Sequence, residues 1–491
     1  MPVHDQNHYE VIVIGCGPGG ERAAIYAARA GKRVAVVERH HEIGGSRVNW
    51  GTIPSKTLRE SALLVRSLSQ GRVHGIRASL EGPVTISDFM SYEQSVVKRE
   101  LELINHALDR NRVEVLRGQG RFVDPHTVAI IGSEGQTRTR LRGDVLVIAT
   151  GSSPNQPADV PFDDVCVFDS SRILKLDKIP RSMLVLGAGV IGVEYTCIFA
   201  ALGIEVTLVD TRAELLPYLD REIAGILERE MRRLGAVLLH GDLYDRIERL
   251  AGDPPRVRCT TRNGNVLEAD VLLYSVGRDG NTRDLGLENI GIAPDAHGLI
   301  QVNRCYQTAH PHIYAVGDVI GYPALASTSM EQGRQAMRHA FHLPGFTGTP
   351  EYLPFAIFAI PENSYIGESE ESLREKGIDY LVGRGRYAQN PRGQILGDTS
   401  GLLKLLFQAD TLKLLGVHII GTNACELIHI GQAYLRMNAT AGHLADGPFN
   451  YPSLSDLYRH AAYEALALSR KPAAGADPGP PAATPPANEP R

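Results

Sequence analysis

The sequence predicts an α/β fold, with two Rossmann-like dinucleotide-binding units followed by an α+β C-terminal region. Three observations carry that prediction. A strand, glycine-rich turn, helix and second strand occur twice. The interval from the first glycine to the acid closing the second strand is the same both times. Beyond about residue 350 the texture changes to antiparallel-looking segments mixed with amphipathic helices.

The first unit runs from the apolar Tyr9–Ile14 through "GCGPGG" (Gly15–Gly20) and an Ala-rich helical stretch to "RVAVVE", ending at Glu38. The second runs from an apolar strand through "GAGVIG" (Gly187–Gly192) and a helix to "EVTLVD", ending at Asp210. One such fingerprint is weak evidence; two, each between a strand and a helix and each closed by an acid, are strong. The first glycine permits the tight turn, the second lets backbone approach a pyrophosphate, and the third lets helix pack on strand. The helix N-terminus then offers N–H groups to phosphate, and the acid accepts bonds from ribose hydroxyls. Leu184–Val209 is apolar enough to suggest a membrane span. Glu194, Glu205 and the glycine spacing favour a buried strand–helix–strand unit instead.

Later segments reuse the device. "LVIATGSSP" (Leu146–Pro154) and "LLYSVGRDGNT" (Leu272–Thr282, with Gly277 at the turn) end strands in tight turns, and "HIYAVGDV" ends one in Gly317–Asp318. "LLKLLFQADTLKLLGVHIIG" predicts antiparallel pairing. From Pro472 onward the Pro/Ala/Gly-rich segment predicts a disordered tail, 471–491.

Composition narrows the function. The chain has 491 residues, 43% hydrophobic and 22% charged, with net charge −5. This is a multidomain globular chain with no electrostatic footprint for nucleic acid or membrane. "RTRLR" (Arg138–Arg142) is expected to be a solvated face. Six scattered cysteines, with no CxxC and no Cys/His metal spacing, predict buried, reduced thiols and a cytoplasmic location. The polar "MPVHDQNHYE" predicts no signal peptide.

These pieces, in this order, resemble the glutathione reductase and lipoamide dehydrogenase superfamily over about residues 8–468. Within it, "NWGTIPSK" and "FNYPSLSD" are most similar to the soluble pyridine nucleotide transhydrogenases. The resemblance implies a homodimer whose C-terminal region is the dimerisation domain. It divides the chain into an FAD-binding domain (1–155), an NAD(P)-binding domain (156–279), a central domain completing the FAD site (280–350) and an interface domain (351–470). It implies that Gly15, Gly17, Gly20, Glu38, Gly44, Gly45, Thr150, Gly151, Gly317 and Asp318 hold FAD. Gly187, Gly189, Gly192, Asp210 and Gly277 are then expected to serve the nicotinamide nucleotide. Lys56 and Glu194 match a pair expected beside the flavin, where an ammonium favours the anionic reduced ring; a plain structural ion pair is the alternative.

The match fails where thiol work is done. Against the pattern GGxCxxxxCxPSK, "IGGSRVNWGTIPSK" places Arg47 and Thr52 at the two cysteines. Where the superfamily has a His–Glu pair, "YPSLSD" places Tyr451 and Asp456. An unperturbed tyrosine titrates far above neutrality and shuttles protons poorly. What remains is a flavin with one nicotinamide pocket, which implies ping-pong hydride transfer between NADPH and NAD+, with NAD(H) and NADP(H) as substrates. Val190 stands where some relatives have a lid tyrosine; easier nucleotide exchange or simple packing both account for it. Asp210 suits a free ribose 2′-hydroxyl, while Arg212 is placed either to receive a 2′-phosphate or to be a solvated loop arginine. The alternatives are an NAD(P)H oxidase or quinone reductase, and a non-catalytic FAD/NAD-binding sensor.

Overall fold

The computed structural model describes residues 7–69, 72–73, 76–77, 79–348, 350 and 352–470. The expected tail at 471–491 and the first six residues lie outside them. The chain divides into two compact units, Met1–Leu353 with Ile357–Glu362, and Pro354–Ala356 with Asn363–Arg491.

In the N-terminal unit the first repeat gives β1 (His8–Ile14), α1 (Pro18–Arg29) and β2 (Val34–Glu38). β1 pairs in parallel with β2 on one side and with Thr137–Ile148 on the other. Its side chains alternate between two cores. Val11 and Val13 pack with Ala23, Ala24 and Ala27 of α1, while Ile12 and Ile14 pack with Phe122, Val128 and Ile130. A parallel strand covered on both faces is apolar throughout, which is why the sequence shows a run and not an alternation. The 12-residue strand Thr137–Ile148 changes role along its length. Its N-terminal half pairs antiparallel with Thr127–Ile131, and there Arg138, Arg140 and Arg142 are exposed as expected.

Between β2 and the rest of that sheet lie α2 (Gly45–Asn49), α3 (Thr52–Ser69) and α4 (Ile86–Arg110). The second repeat gives the strand Ser182–Leu186, α5 (Val190–Ala201) and the strand Glu205–Asp210. Its five-stranded sheet is parallel throughout, in the order 167–169, 271–274, 182–186, 205–210 and 237–240. The stretch that looked apolar enough for a membrane is thus buried in a sheet and its covering helix. No helix among the described residues is long and apolar enough to cross a membrane.

In the C-terminal unit the predicted hairpin forms. Leu402–Gln408 pairs antiparallel with Leu414–Ile420, flanked by Tyr380–Arg386 and Asn363–Gly367. All six cysteines are free and five are buried. Cys305 departs from the expectation. It sits half-exposed in a loop, where the Asn303 side chain accepts its backbone N–H at 2.8 Å.

Candidate active site and nucleotide sites

Both glycine turns have the same construction. Gly15 and Gly187 have φ of +100° and +96°, the left-handed region that side chains rarely adopt. A Cβ on Gly20 would meet the Gly15 carbonyl oxygen at 2.0 Å, and one on Gly192 the Gly187 oxygen at 1.9 Å. The third glycine is therefore required by the fold itself. The second is different. A Cβ on Gly17 would meet nothing nearer than Gly45 Cα at 4.0 Å, and one on Gly189 nothing within 4 Å. Neither α1 nor α5 has a side-chain cap, whereas α4 is capped by Thr85 and the helix Arg221–Arg233 by Asp220. Two helices thus keep their first-turn N–H groups free beside open space, the arrangement that accepts a diphosphate.

The first turn opens onto a cavity of about 860 Å³. Gly15, Gly17, Glu38, Gly45, Thr150, Gly151, Gly317 and Asp318 line it, together with Arg47, Trp50 and Thr52. Gly20 and Gly44 are not on its wall: Gly20 packs α1 against the turn, and Gly44 makes the bend that starts α2. Glu38 is buried and accepts the backbone N–H of Cys16 at 2.7 Å and of His40 at 2.9 Å. Burial, with the nearby Glu38 and Glu21, pushes the Cys16 thiol up to about 12, so this cysteine is a packing residue. Thr150 Oγ1 is buried on the cavity wall without a partner among the described residues, a donor left for a ligand.

A network not apparent from spacing holds the far side. Arg278 donates from Nε to Ser152 Oγ and from Nη2 to Ser152 O, both at 2.8 Å, and Ser152 Oγ donates to Asp318 Oδ2 at 2.7 Å. Burial lowers the Arg278 pKa, against the opposing fields of Asp318 and Asp169. Asn281 Nδ2 ties in by donating to Thr150 O at 2.9 Å. The one available signal was an arginine immediately after Gly277, in a stretch read for its glycine alone. Gly277 itself is off the cavity wall, at φ +80°, and its carbonyl accepts Asn155 N–H at 3.2 Å.

Lys56 and Glu194 meet as expected. Lys56 Nζ lies 2.7 and 2.9 Å from the two Glu194 oxygens, with Glu194 4% exposed and Lys56 26%. Lys56 is not on the cavity wall; it stands one helical turn along α3 from Thr52, which is. Phe358, absent from the sequence reading, completes the site. Its backbone N–H donates to Glu194 Oε1 at 2.9 Å, and its ring lies 5.1 Å from Lys56 Nζ. Val190 is the first residue of α5.

Asp210 is buried, and its carboxylate accepts the N–H groups of Ala188 and Arg212. Arg212 also grips it side-on, with Nε and Nη2 each donating at 2.8 Å. Arg212 thus lies in the loop after the strand with its side chain 39% exposed and its fork turned to Asp210. Burial alone would raise the Asp210 carboxyl, but the bonds from Arg212 and Ala188 hold it below the usual range.

At the lost-cysteine positions, Arg47 lies in α2 and pairs with Glu21 at 2.9 Å, while Thr52 opens α3. In the C-terminal unit Tyr451 is exposed, and Asp456 is ion-paired to Arg459 and lies 3.3 Å from His460 Nε2, both on the helix it precedes.

Known proteins resemble this chain over most of its length. The pyridine nucleotide-disulphide oxidoreductase family matches residues 9–333, and that family's dimerisation domain matches residues 353–462. The chain is 44% identical over 458 residues to the soluble pyridine nucleotide transhydrogenase of Mycobacterium tuberculosis, covering 93% of this chain and 97% of that one. It is 41% identical over 461 residues to the protein of the same name from Klebsiella pneumoniae, covering 93% and 98%. Among solved structures, LpdA from Mycobacterium tuberculosis superposes with a TM-score of 0.85 at 27% identity, covering 92% and 99%. The HOCl-induced flavoprotein disulfide reductase RclA from Escherichia coli gives 0.82 at 27%, covering 93% and 99%.

Proposed function

The chain belongs to the pyridine nucleotide-disulphide oxidoreductase family, and from that premise we propose that it is an FAD-dependent transhydrogenase. It would pass hydride between NADPH and NAD+ as a cytoplasmic homodimer, without a redox disulfide. The observation that supports this most is the pair of uncapped, glycine-cradled helix N-termini, with Arg47 and Thr52 where the family pattern has its two cysteines.

FAD, when bound, supplies a two-electron carrier that one nicotinamide nucleotide loads and another unloads. The protein's own residues do the rest. Gly15, Gly17 and the first turn of α1 would receive the FAD diphosphate, and Glu38 would take a ribose. Thr150, Gly151 and Asp318 would hold the middle of the molecule, with Asp318 fixed by Ser152 and Arg278. Gly187, Gly189, Gly192 and α5 receive the nicotinamide nucleotide. Lys56, held by Glu194, would supply a fixed cation to a flavin ring bound beside it. Arg47 and Thr52 offer no thiol, and Tyr451 stands where the family pattern has its histidine, so disulfide reduction is not served.

Asp210 and Arg212 together explain use of both nucleotides. Asp210 alone would repel a 2′-phosphate by about 1–4 kcal/mol at 4 Å. The Arg212 fork offsets that charge.

The test is anaerobic turnover of NADPH with thio-NAD, alongside oxygen uptake in air. Formation of thio-NADH with little oxygen consumption is expected, and Arg212→Ala should raise KM for NADPH more than for NADH. Rapid oxygen uptake without nucleotide exchange would make the protein an oxidase. Equal effects of Arg212→Ala on both nucleotides would place 2′ recognition elsewhere.

A further inference from the structure

We propose that Arg47, at the place of the lost thiol, is a positioning residue that neutralises a buried carboxylate so that α1 accepts the FAD diphosphate. The proposal rests on the FAD assignment above and goes past it by giving Arg47 a task.

Glu21 lies in the first turn of α1, and its side chain is 3% exposed. Its backbone N–H bonds to Gly17 O at 2.9 Å, so it is part of the turn over which a diphosphate would lie. A carboxylate there suits the positive end of an empty helix, but it competes with an incoming anion for the same field. Arg22 is a weak counter-charge, at 3.9 Å and half-exposed. Arg47 is a strong one, with Nη2 at 2.9 Å and a side chain only 10% exposed. Both groups are therefore held away from water, where removing one partner leaves the other charge uncompensated.

Two further features tie the pair to the ligand and not only to packing. The residue that starts α2 rests on the phosphate turn, since a Cβ on Gly45 would meet Gly17 Cα at 2.8 Å. Arg47 lines the cavity, and its Nε–H is buried with no partner among the described residues. Its Nε–H is thus committed to no other protein group among the described residues.

A merely structural ion pair predicts a different pattern from a charge-compensating one, and a double-mutant cycle separates them. FAD dissociation constants are measured from free-flavin fluorescence on serial dilution of the holoprotein, with thermal midpoints recorded for each variant. Arg47→Met should weaken FAD by about tenfold or more, while Arg47→Lys should stay close to wild type. Glu21→Gln alone should change affinity little, and Glu21→Gln in the Arg47→Met background should restore most of it. If Glu21→Gln weakens FAD as much as Arg47→Met, and the double variant shows no recovery, the pair is only structural and the proposal is wrong. Should Arg47→Met prove too unstable to purify, the double variant and Arg47→Lys still decide, because compensation requires that both retain flavin. A wild-type protein that binds no FAD would overturn the FAD assignment itself, a separate and recognisable outcome.

Discussion

Gly17→Val is expected to give a folded, colourless protein. Gly17 has φ −73°, which any residue adopts, and the space its Cβ would enter is empty of protein out to Gly45 Cα at 4.0 Å. A valine therefore takes its room from the ligand and leaves the backbone in place. Flavin content should fall below about a tenth of wild type, a loss of more than about 1.4 kcal/mol of binding, while the circular dichroism spectrum stays native. Gly20→Ala supplies the contrast. Its Cβ would lie 2.0 Å from the Gly15 carbonyl oxygen, a backbone atom that cannot turn aside. Separating α1 from the turn should cost about 3 kcal/mol, the upper end of overpacking penalties, and reduce the yield of folded protein. A yellow, stoichiometrically loaded Gly17→Val protein would contradict the assignment of the first unit to FAD.

Lys56→Met should slow flavin reduction by NADPH at least tenfold, about 1.4 kcal/mol of barrier. The substitution keeps much of the side-chain volume and removes the charge that Glu194 holds in place. It also leaves Glu194, 4% exposed, without its cation. Breaking a buried pair in this way costs about 3 kcal/mol, and somewhat less here because Lys56 is partly solvated. Rate and stability must therefore be separated. Adding Glu194→Gln to Lys56→Met removes the stranded charge, so stability should largely recover while stopped-flow reduction stays slow. Recovery of both together would make Lys56 a structural residue.

What the sequence made legible follows from where the physics is local. The glycine turns were readable because each glycine answers a steric demand from within a few residues, as the contacts of Gly20 and Gly192 with their own first glycines show. The Leu402–Gln408 hairpin was readable because its turn and apolar runs are contiguous. Contacts set by tertiary packing were not. Arg47 and Glu21 meet only because the start of α2 rests on the glycine turn that opens α1, and the chain of Arg278, Ser152 and Asp318 joins three distant segments. Phe358 reaches Lys56 and Glu194 from more than a hundred residues away with no motif to mark it. Arg212 is an intermediate case. Its proximity to Asp210 was evident, but whether the side chain pointed to water or to the carboxylate was decided by burial of Asp210.

Hydride is expected to enter and leave through the nucleotide site, with no thiol store behind the flavin. Counting electrons tests it directly. Anaerobic reductive titration of the holoprotein should reach its end point at two electrons per flavin, because Arg47 and Thr52 stand where a redox disulfide would take two more. An end point at four electrons per flavin would reveal a second acceptor and contradict the claim.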